Sequence, residues 1–446
     1  MGKKIIVAGG GHGGIPVAAQ LSKAGFDVTV YERGSEGKLG YDWTDIFDPK
    51  ALGIAGMEMP PKDKYEYKID MTFFGPKTED NAKIRQRVPN DPQQMEIKME
   101  RSDIYEHIIN HALKCGVKFV YDCTIEGPIM QGDRVVGIKT SKGDFYGDMV
   151  IDSCGCESPV RANLPDCCGI QKHPVRFEKF YVYRAFYNLG ADPSTVEDKY
   201  KVMLLPEGKI GIGWIATEDE YSDLLIGRFD PFDMAEVERT AEVYRKENPQ
   251  LGTELKRGGQ FVEIPVRQPL SILVADGYAA IGDSAFMTVP IIGSGIGNSM
   301  KVSKILADTI IADETETYSA ETLWPYQVNY YKSLGNGLAP LAAVKLLLTR
   351  ISGQQLDYAI NNGILTHHEM TITANHTSLW KFMNFDPNLP KRGLALIQDK
   401  DLTMKGIRVV RDVIELLAVE QFMPKKYSRS AVQAWAKRYD RIFVRK

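Results

Sequence analysis

Three glycines have the spacing that is typical of phosphate-binding turns. Gly9, Gly11 and Gly14 follow an apolar run at 5–8 and precede a helical pattern. In a Gly-x-Gly-x-x-Gly turn, one glycine makes the bend, one lets the backbone approach a pyrophosphate, and one lets the helix pack closely on the strand. The phosphate would face free backbone amides and the positive end of the helix dipole. The spacing predicts a dinucleotide site, with His12 and Gly13 inside its turn.

An acidic residue ends the next predicted strand. Residues 27–32 read Asp-Val-Thr-Val-Tyr-Glu, which places Glu32 about 20 residues after the glycine turn, where a carboxylate can hold both hydroxyls of an adenosine ribose. Glycine-rich turns between a strand and a helix also occur without a ligand. Glu32 is the residue that favours the dinucleotide.

A second turn of this kind lies far along the chain. A short apolar strand at 277–281 ends at Gly282 and Asp283, and a glycine loop at 293–297 opens a helix predicted to run to about Asp313. Aspartate at a strand end can accept a hydrogen bond from a sugar hydroxyl, and the loop amides point at whatever lies over them. Asp283 would otherwise be a helix N-cap. Two such strand ends favour a long cofactor.

Composition and patterning describe a globular protein of two or three domains. The chain has 446 residues, 43% of them hydrophobic, and a net charge of −3, which does not favour nucleic acid as a partner. Six cysteines suggest reduced thiols in a cytoplasmic protein. We expect no secretion signal and no membrane span, so the sequon at 375–377 is expected to be unused.

The remaining elements follow from hydrophobic periodicity. Residues 36–95 suggest loops with short strands, and a helix with one apolar face begins at Arg101 and ends before Gly116. Strands are predicted at 117–121, 134–140 and 144–151, a mostly antiparallel sheet over about 175–265, and helices after 298.

These segments together resemble the FAD-dependent oxidoreductases of the aromatic-hydroxylase fold, the group A flavoproteins. The resemblance rests on the order of the glycine turn with Glu32 and Arg33, Arg101 at a helix start, the segment 152–161, and Gly282-Asp283 with its glycine loop. Within that group the chain is most similar to the geranylgeranyl reductase family, over residues 1 to about 315 and again around 324–348.

The resemblance implies FAD as the cofactor and an α/β fold. A Rossmann-like FAD-binding domain of the glutathione-reductase type would comprise residues 1–60, 96–165 and 266–315. An inserted, mostly antiparallel substrate-binding sheet would comprise 61–95 and 166–265, and a C-terminal helical region 316–446.

It also implies roles for individual residues. The glycine turn and Glu32 would hold the ADP half, Arg101 the pyrophosphate or ribityl region, and Asp283 the ribityl chain. Gly295 and Ile296 would lie against the pyrimidine end of the flavin. The complete predicted cofactor-binding set is Gly9, Gly11, His12, Gly13, Gly14, Glu32, Arg33, Arg101, Cys123, Gly282, Asp283, Gly295 and Ile296.

The substrate side departs from the family. Residues 205–215 are similar, through Trp214, to a family segment that lines a hydrophobic substrate tunnel, but Ala216-Thr-Glu replaces the expected Phe-Pro. Where such reductases often carry a cysteine near the flavin, this chain has Gly-Tyr-Asp-Trp-Thr at 40–44. Trp43 would wall the substrate pocket or anchor its own loop, and Tyr41 and Asp42 are candidate proton donors. The catalytic candidates are Tyr41, Asp42, Trp43 and Trp214.

No metal site is expected. The pairs Cys154/Cys156 and Cys167/Cys168 lack the Cys-x-x-Cys spacing, so packing is favoured over metal or redox chemistry. His107 and His111 lie one helical turn apart but have no third ligand nearby in the sequence.

The C-terminal tail is basic and aromatic. Between residues 423 and 446 there are eight Lys or Arg residues and one Asp, and Trp435, Tyr439 and Phe443 recur every four residues. A helix packed on the protein's own body is favoured, with peripheral contact to an anionic membrane as the alternative.

The leading functional hypothesis is an FAD-dependent reductase of a carbon-carbon double bond, or a related unsaturation, in a large apolar molecule such as an isoprenoid or polycycle. Reduced flavin would deliver hydride, and a pocket acid or water the proton. The alternatives are a hydroxylase of the same fold that uses NAD(P)H and dioxygen, and a non-enzymatic lipid-binding protein, which would not need the glycine and Gly-Asp turns. No second dinucleotide motif is seen, so the electron donor stays open between NAD(P)H and a reduced protein carrier.

Overall fold

The computed structural model describes residues 2–76, 82–367 and 388–444. Its largest core surrounds a six-stranded sheet that is parallel except at one edge. In spatial order, and numbered along the chain, the strands are β18 (Val274–Ala275), β19 (Tyr278–Ala280), β12 (Met149–Asp152), β1 (Lys4–Ala8), β2 (Asp27–Tyr31) and β8 (Lys118–Val120). The central strands are almost wholly apolar and buried, as expected of a parallel sheet covered on both faces.

Helices α1 (Gly14–Lys23), α3 (Arg101–Lys114) and α6 (Ile296–Ile311) pack beside this sheet, with α1 against both others. Each begins where the glycine and arginine motifs predicted a helix. The helix predicted to reach Asp313 ends two residues earlier, at Ile311.

One predicted strand is wrong. Residues 144–151 form two strands in different sheets, β11 (Gly143–Tyr146) and β12, because Asp148 turns the chain by pairing its carboxylate with the Lys4 amide at 2.8 Å. β11 instead pairs in an antiparallel sheet with β10 (Arg134–Thr140) and β9 (Ile125–Gln131). β9 was not predicted, since it contains Gly127 and Pro128, which are depleted in strands.

A second sheet has seven strands and is antiparallel except for one pair, as predicted for 175–265. In spatial order its strands are β17 (Leu251–Pro265), β13 (Lys179–Leu189), β16 (Tyr221–Arg228), β15 (Gly211–Thr217), β14 (Tyr200–Leu204), β5 (Met71–Phe74) and β6 (Lys83–Gln86). The parallel pair joins β14 to β5, so two excursions of the chain build one sheet. Helix α5 (Met234–Glu247), which was not predicted, packs Val237, Ala241 and Tyr244 against it.

A small sheet lies between these two. β7 (Ile97–Glu100) pairs with β3 (Thr44–Phe47) and β4 (Glu66–Tyr67), and α2 (Lys50–Ile54) follows β3. The segment 61–95, which was predicted to belong to the substrate-binding sheet, is therefore divided between the small sheet and the seven-stranded sheet. Pairing of Thr44 with Glu100 brings the following residues of β3 alongside the start of α3.

The C-terminal part is helical, as predicted. Its helices are α7 (Ala320–Tyr330), α8 (Asn336–Leu348), α9 (Gly353–Asn361), α10 (Leu389–Gln398), α11 (Lys400–Gln421) and α12 (Arg429–Phe443). Among the described residues no single helix has the length and apolar character to cross a bilayer, and one pair, 320–348 with 353–361, has them only across a 115° bend. The sequon at 375–377 and the last two residues of the tail lie outside the described residues.

The aromatic stripe of the tail belongs to the main core. Trp435 and Tyr439 on α12 are 6% and 0% exposed and lie 5.5 and 5.9 Å from the ring of Tyr331. The Trp435 indole donates a hydrogen bond to the Val419 carbonyl at 2.8 Å. Packing on the protein's own body is confirmed for Trp435 and Tyr439, whose rings are covered, while Phe443 is half-buried. Peripheral membrane contact by the tail stays a prediction.

Candidate functional site

The two glycine turns meet at one cavity. It has a volume of about 450 Å³ and lies at the carboxyl ends of β1, β2, β12 and β19. Of the predicted cofactor-binding residues, those that line it are Gly9, Gly11, His12, Gly13, Glu32, Arg33, Arg101, Gly282, Asp283, Gly295 and Ile296. We call it the cofactor cavity.

Close approach to Ser153 explains the glycines of the first turn. A Cβ at Gly11 would lie 2.3 Å from the Ser153 hydroxyl oxygen, and one at Gly9, where φ is 88°, would lie 2.5 Å from its carbonyl oxygen. Gly14 does not line the cavity. A Cβ at Gly14 would lie 2.7 Å from the Ser153 Cβ and 2.8 Å from a Val7 methyl carbon. Gly14 thus serves the close helix-strand packing expected of the third glycine. Ser153 is a cavity residue that sequence reasoning did not single out.

Glu32 is held at the cavity edge by two backbone amides. Its carboxylate oxygens accept hydrogen bonds from Gly10 and from Gly34, each at 2.7 Å. The Gly34 contact is local to the turn that follows β2, whereas the Gly10 contact joins Glu32 to the glycine turn after β1. The carboxylate therefore has one fixed orientation, as an acid that reads a ribose requires.

His12 is buried in the cavity wall and uncharged. Burial, assisted by the charge of Arg101, lowers the pKa of His12 to about 3, against a weaker opposing effect of Asp45. Its ring lies 4.5 Å from that of Tyr105. The buried Nε2 atom has no hydrogen-bond partner within the part of the chain that the structure describes. A buried polar atom of this kind fits a site that a ligand completes.

Arg101 forms a bidentate ion pair with Asp45. The guanidinium donates hydrogen bonds of 2.6 Å to each carboxylate oxygen and lies over the rings of Tyr41 and Trp43, at 5.1 and 5.6 Å. Burial opposes ionisation of Asp45, but the charge and hydrogen bonds of Arg101, with the charge of Arg184, outweigh it and lower the pKa of Asp45. Asp45 was missed because no motif marks it; it reaches Arg101 only through the pairing of β3 with β7.

The segment 152–161 holds the Gly282-Asp283 turn in place. Buried Arg161 donates to the Ser284 carbonyl at 2.5 Å and lies 4.4 Å over the ring of Phe286, while the Gly155 amide donates to the Ser284 hydroxyl at 2.9 Å. Asp283 accepts a hydrogen bond from the Thr288 hydroxyl at 2.9 Å, and burial raises its pKa. This segment positions the turn around Asp283.

Two predicted site residues lie elsewhere. Cys123 is fully buried and does not line the cofactor cavity, which is lined at this point by Thr124 and Ile125. Asp42 lies outside both this cavity and the one described next; its carboxylate pairs with Arg257 at 2.7 Å, so it is not placed as a proton donor. After the turn at Gly40, Tyr41 lines the cofactor cavity while remaining 36% exposed, and Asp42 lies toward β17, where its carboxylate accepts a hydrogen bond from the Gly258 amide.

The thiols show no metal-binding arrangement. Cys154 lines the cofactor cavity, and burial followed by the charge of Asp152 raises its pKa, so it is a thiol at neutral pH. Across the described ranges, no group of three His, Cys, Asp or Glu side chains has metal-binding geometry. His107 instead contacts the Glu58 carbonyl at 2.9 Å.

An apolar cavity of about 260 Å³ adjoins the cofactor cavity. Seven residues line both, namely Trp43, Asp45, Ile46, Arg101, Ile264, Gly293 and Ser294. Side chains of the seven-stranded sheet form much of the remaining wall, among them Phe180, Val182, Val202, Leu204, Ile212, Trp214 and Leu225. Trp43 is 3% exposed and lies in the shared wall, whereas Trp214 faces the apolar cavity alone.

Two buried cations stand in the apolar wall. Arg184 pairs with Asp223 at 2.6 Å and lies 5.5 Å from both Trp43 and Trp214. Lys345 on α8 is 4% exposed and donates to the Phe177 carbonyl. Burial lowers the pKa of Lys345 to about 7. Neither cation was predicted, since both lie inside apolar segments without a motif.

Comparison with known proteins points to flavoenzymes, although no family model matches the chain. It is 22% identical over 373 residues to a digeranylgeranylglycerophospholipid reductase of Haloferax volcanii, covering 78% of this chain and 85% of that protein. The counterpart of Sulfolobus acidocaldarius is 22% identical over 386 residues, with 82% of each chain covered.

Solved structures show the same fold. A geranylgeranyl bacteriochlorophyll reductase-like protein of Thermoplasma acidophilum superposes with a TM-score of 0.70 at 18% identity, covering 93% of this chain and 99% of that one. A p-nitrophenol 4-monooxygenase of Pseudomonas putida superposes with a TM-score of 0.63 at 17% identity, covering 84% and 98%.

The fold is a mixed α/β fold like that of FAD-binding enzymes. The protein is an FAD-dependent oxidoreductase that is similar in sequence to the digeranylgeranylglycerophospholipid reductases and in fold to a monooxygenase.

Proposed function

We propose that the protein reduces a carbon-carbon double bond in a large, mostly apolar molecule. The observation that carries this proposal is the shared wall of the two cavities: a site suited to a dinucleotide opens beside an apolar chamber that is roofed by a β-sheet. A reactive ring at the Gly293–Gly295 side of the first cavity would face a substrate in the second.

The residues of the cofactor cavity fit FAD in an arrangement of the glutathione-reductase type. The glycine turn lines the cavity without side chains at Gly9, Gly11 and Gly13, so its backbone can approach a pyrophosphate, and Glu32 is oriented for a ribose. The orphaned Nε2 of His12 offers one further hydrogen bond. Arg101 and Asp283 would bind the middle of the cofactor, and Gly295 and Ile296 the flavin end. When bound, the flavin supplies the hydride.

The protein's own contribution is orientation, exclusion of water and a proton. Trp43 and Ile264 separate the chambers with apolar surface, which keeps solvent from the reacting carbon. Tyr41 lines the cofactor cavity, and burial raises the pKa of its phenol, so it carries a proton throughout the physiological range. We assign Tyr41, rather than Asp42, as the candidate donor.

The names of the relatives point to an unsaturated lipid as the substrate class. The apolar lining supports this assignment, and buried Lys345, one of several basic side chains that line the chamber, is placed to contact a polar or anionic end of such a lipid. We propose NAD(P)H or a reduced protein carrier as the electron donor. A relative in Escherichia coli, 20% identical over 353 residues, is named a probable electron transfer flavoprotein-quinone oxidoreductase, which is consistent with a protein carrier.

The test is anaerobic reoxidation. The purified holoprotein is reduced with dithionite, its flavin absorbance near 450 nm is followed, and a digeranylgeranylglyceryl lipid with an anionic headgroup is added before air. Recovery of the oxidised spectrum without oxygen, together with a lipid product heavier by two hydrogens, supports the reductase. No recovery with this lipid or with a panel of unsaturated polycycles contradicts it.

The hydroxylase alternative is favoured by the monooxygenase among the structural neighbours. It requires reoxidation only on admission of oxygen, with one oxygen atom of labelled dioxygen recovered in the product. Reoxidation by oxygen that yields hydrogen peroxide alone supports neither reading.

A further inference from the structure

One helical face of the C-terminal region is apolar and uncovered. On α10 and α11 six large apolar side chains are between 56% and 68% exposed. This outer face consists of Leu394, Ile397, Met404, Ile407, Val410 and Ile414. Phe422, 73% exposed, stands just beyond the end of α11. Scattered apolar residues are common on protein surfaces, but a contiguous apolar stripe marks an interaction site.

The spacing places the α11 residues of the outer face in one stripe along that helix. On α11 its residues follow one another at intervals of three, three and four, which places them on one side of a helix. The opposite side of α11 is buried through Leu402, Val409 and Leu416. The helix thus has two apolar sides, and only one of them is used by the protein's own core.

Positive charges outnumber negative ones beside the outer face. At 100° per residue, exposed Lys400 falls within the stripe and exposed Arg408 at its edge, where half-buried Glu415 also lies. Arg411, also within the stripe, pairs with Asp412 at 2.6 Å. Lys391 on α10 and the pair Lys425-Lys426 after α11 are exposed as well. Exposed acids near the stripe are engaged, since Asp401 pairs with Lys405 at 2.6 Å. A basic, apolar helical surface complements an anionic lipid interface.

The outer face also backs onto the apolar cavity. Leu402 of α11 and Leu396 of α10 pack in one cluster with Leu205, Leu348 and Leu356. These last three residues line the apolar cavity. The inner sides of α10 and α11 therefore pack in one cluster with residues that line the chamber.

We propose that the outer face docks the protein, without spanning it, on the surface of a bilayer that contains anionic lipid. An acyl or isoprenoid chain would then pass from the bilayer to the apolar cavity over the short distance behind α10 and α11. Docking itself does not depend on the reductase chemistry, because it uses residues outside both cavities.

The experiment is vesicle sedimentation of the full-length holoprotein. Vesicles of phosphatidylcholine with one quarter phosphatidylglycerol are compared with vesicles of phosphatidylcholine alone. The wild type should sediment with the anionic vesicles, and the double variant Ile407→Glu/Ile414→Glu should lower its partition coefficient at least about ten-fold, since each isoleucine loses most of its transfer free energy. Lys400→Gln/Arg408→Gln should weaken binding to anionic vesicles only.

The matched control is Leu113→Glu/Leu255→Glu, which changes two apolar side chains of similar exposure, 51% and 50%, outside this face. It should bind as the wild type does. Flavin content and melting temperature, measured for every variant, show that each is folded. Equal binding by the outer-face variant and the wild type overturns the proposal. So does a wild type that ignores vesicles but forms dimers by sedimentation velocity, with the dimers lost in the outer-face variant, because the occupant is then a second copy.

Discussion

Arg101 holds Asp45 in a two-point ion pair, with both hydrogen bonds at 2.6 Å, inside the wall that the cofactor cavity and the apolar cavity share. The pair joins the start of α3 to β3 and so stabilises the fold, while its Arg101 guanidinium also lines the cofactor cavity. These two roles can be separated by mutation.

Arg101→Gln should lower the free energy of unfolding of the apoprotein by about 3 kcal/mol, because it leaves the Asp45 carboxylate buried without its partner. Arg101→Gln/Asp45→Asn should regain most of that stability. If Arg101 binds FAD, as proposed, the double variant should still bind it at least about ten-fold more weakly than the wild type, since a charge-assisted contact is lost. Denaturant unfolding and titration of the apoprotein with FAD measure the two effects, and wild-type affinity in the double variant would leave Arg101 with only the structural role.

Gly11→Ala should largely abolish FAD retention, because its Cβ would lie 2.3 Å from the Ser153 hydroxyl oxygen. Adding Ser153→Ala removes that oxygen and should restore part of the binding. Gly9→Ala is the matched comparison: its Cβ meets the Ser153 carbonyl, and its φ of 88° disfavours alanine, so Ser153→Ala should not rescue it. Flavin-to-protein absorbance ratios after gel filtration give the result, and equal rescue of both variants would contradict the steric explanation.

Trp43→Leu and Trp214→Leu should separate the two chambers spectroscopically. Because Trp43 lies in the shared wall, its replacement should change the visible absorption and fluorescence of bound flavin. Trp214 faces the apolar cavity alone, so its replacement should leave the flavin spectrum unchanged and slow anaerobic reoxidation by substrate. If only the Trp214 variant altered the flavin spectrum, the flavin ring would lie in the apolar cavity, and its proposed position in the cofactor cavity would be wrong.

Lys345 should make stability depend on pH in the alkaline range. With a folded-state pKa of about 7, against an unfolded value of 10.5, this lysine binds fewer protons in the folded state than in the unfolded state between these values. Its contribution to stability therefore rises with pH across that window and is least favourable below it. Lys345→Met should be more stable than the wild type at pH 6, by on the order of a few kcal/mol, with the difference shrinking toward pH 10.

Urea unfolding at several pH values measures this difference. The surface substitution Lys304→Met is the control, since Lys304 is half exposed and pairs with Asp308 on the same helix. It should show no such trend. A constant difference between Lys345→Met and the wild type at every pH would contradict the buried-ammonium interpretation.

Much of the cofactor cavity could be predicted from local sequence motifs. The glycine turn, Glu32 and the Gly-Asp turn could be predicted because each depends on neighbours in sequence: a strand, a bend and a helix start. Cys123 illustrates the limit, since it is one residue away from the cavity wall formed by Thr124 and Ile125. A strand end can be located by pattern, but the residue that faces a ligand depends on its exact length.

Residues that act across the fold could not be predicted in this way. Asp45 reaches Arg101 through strand pairing, and Ser153 is set against the glycine turn by the parallel register of β1 and β12. Lys345 enters the apolar cavity from α8, which begins well after the last strand of the seven-stranded sheet has ended at Pro265. The C-terminal helices show a further limit. An amphipathic pattern identifies the apolar side of a helix, but it does not indicate whether the protein's own core covers that side. Trp435 and Tyr439 are covered by the core, whereas Ile407 and Ile414 are not.

The residues that line the two cavities are synthesised at different times, because they occur in different parts of the chain. Every residue that lines the cofactor cavity has been translated once Ser299 is added, but the apolar cavity also needs Lys345, Leu348 and Leu356. The residues that line the cofactor cavity are thus synthesised before the full lining of the apolar cavity. The core around the six-stranded sheet also includes Trp435 and Tyr439, so both cavities have all of these lining residues before α12 completes that core.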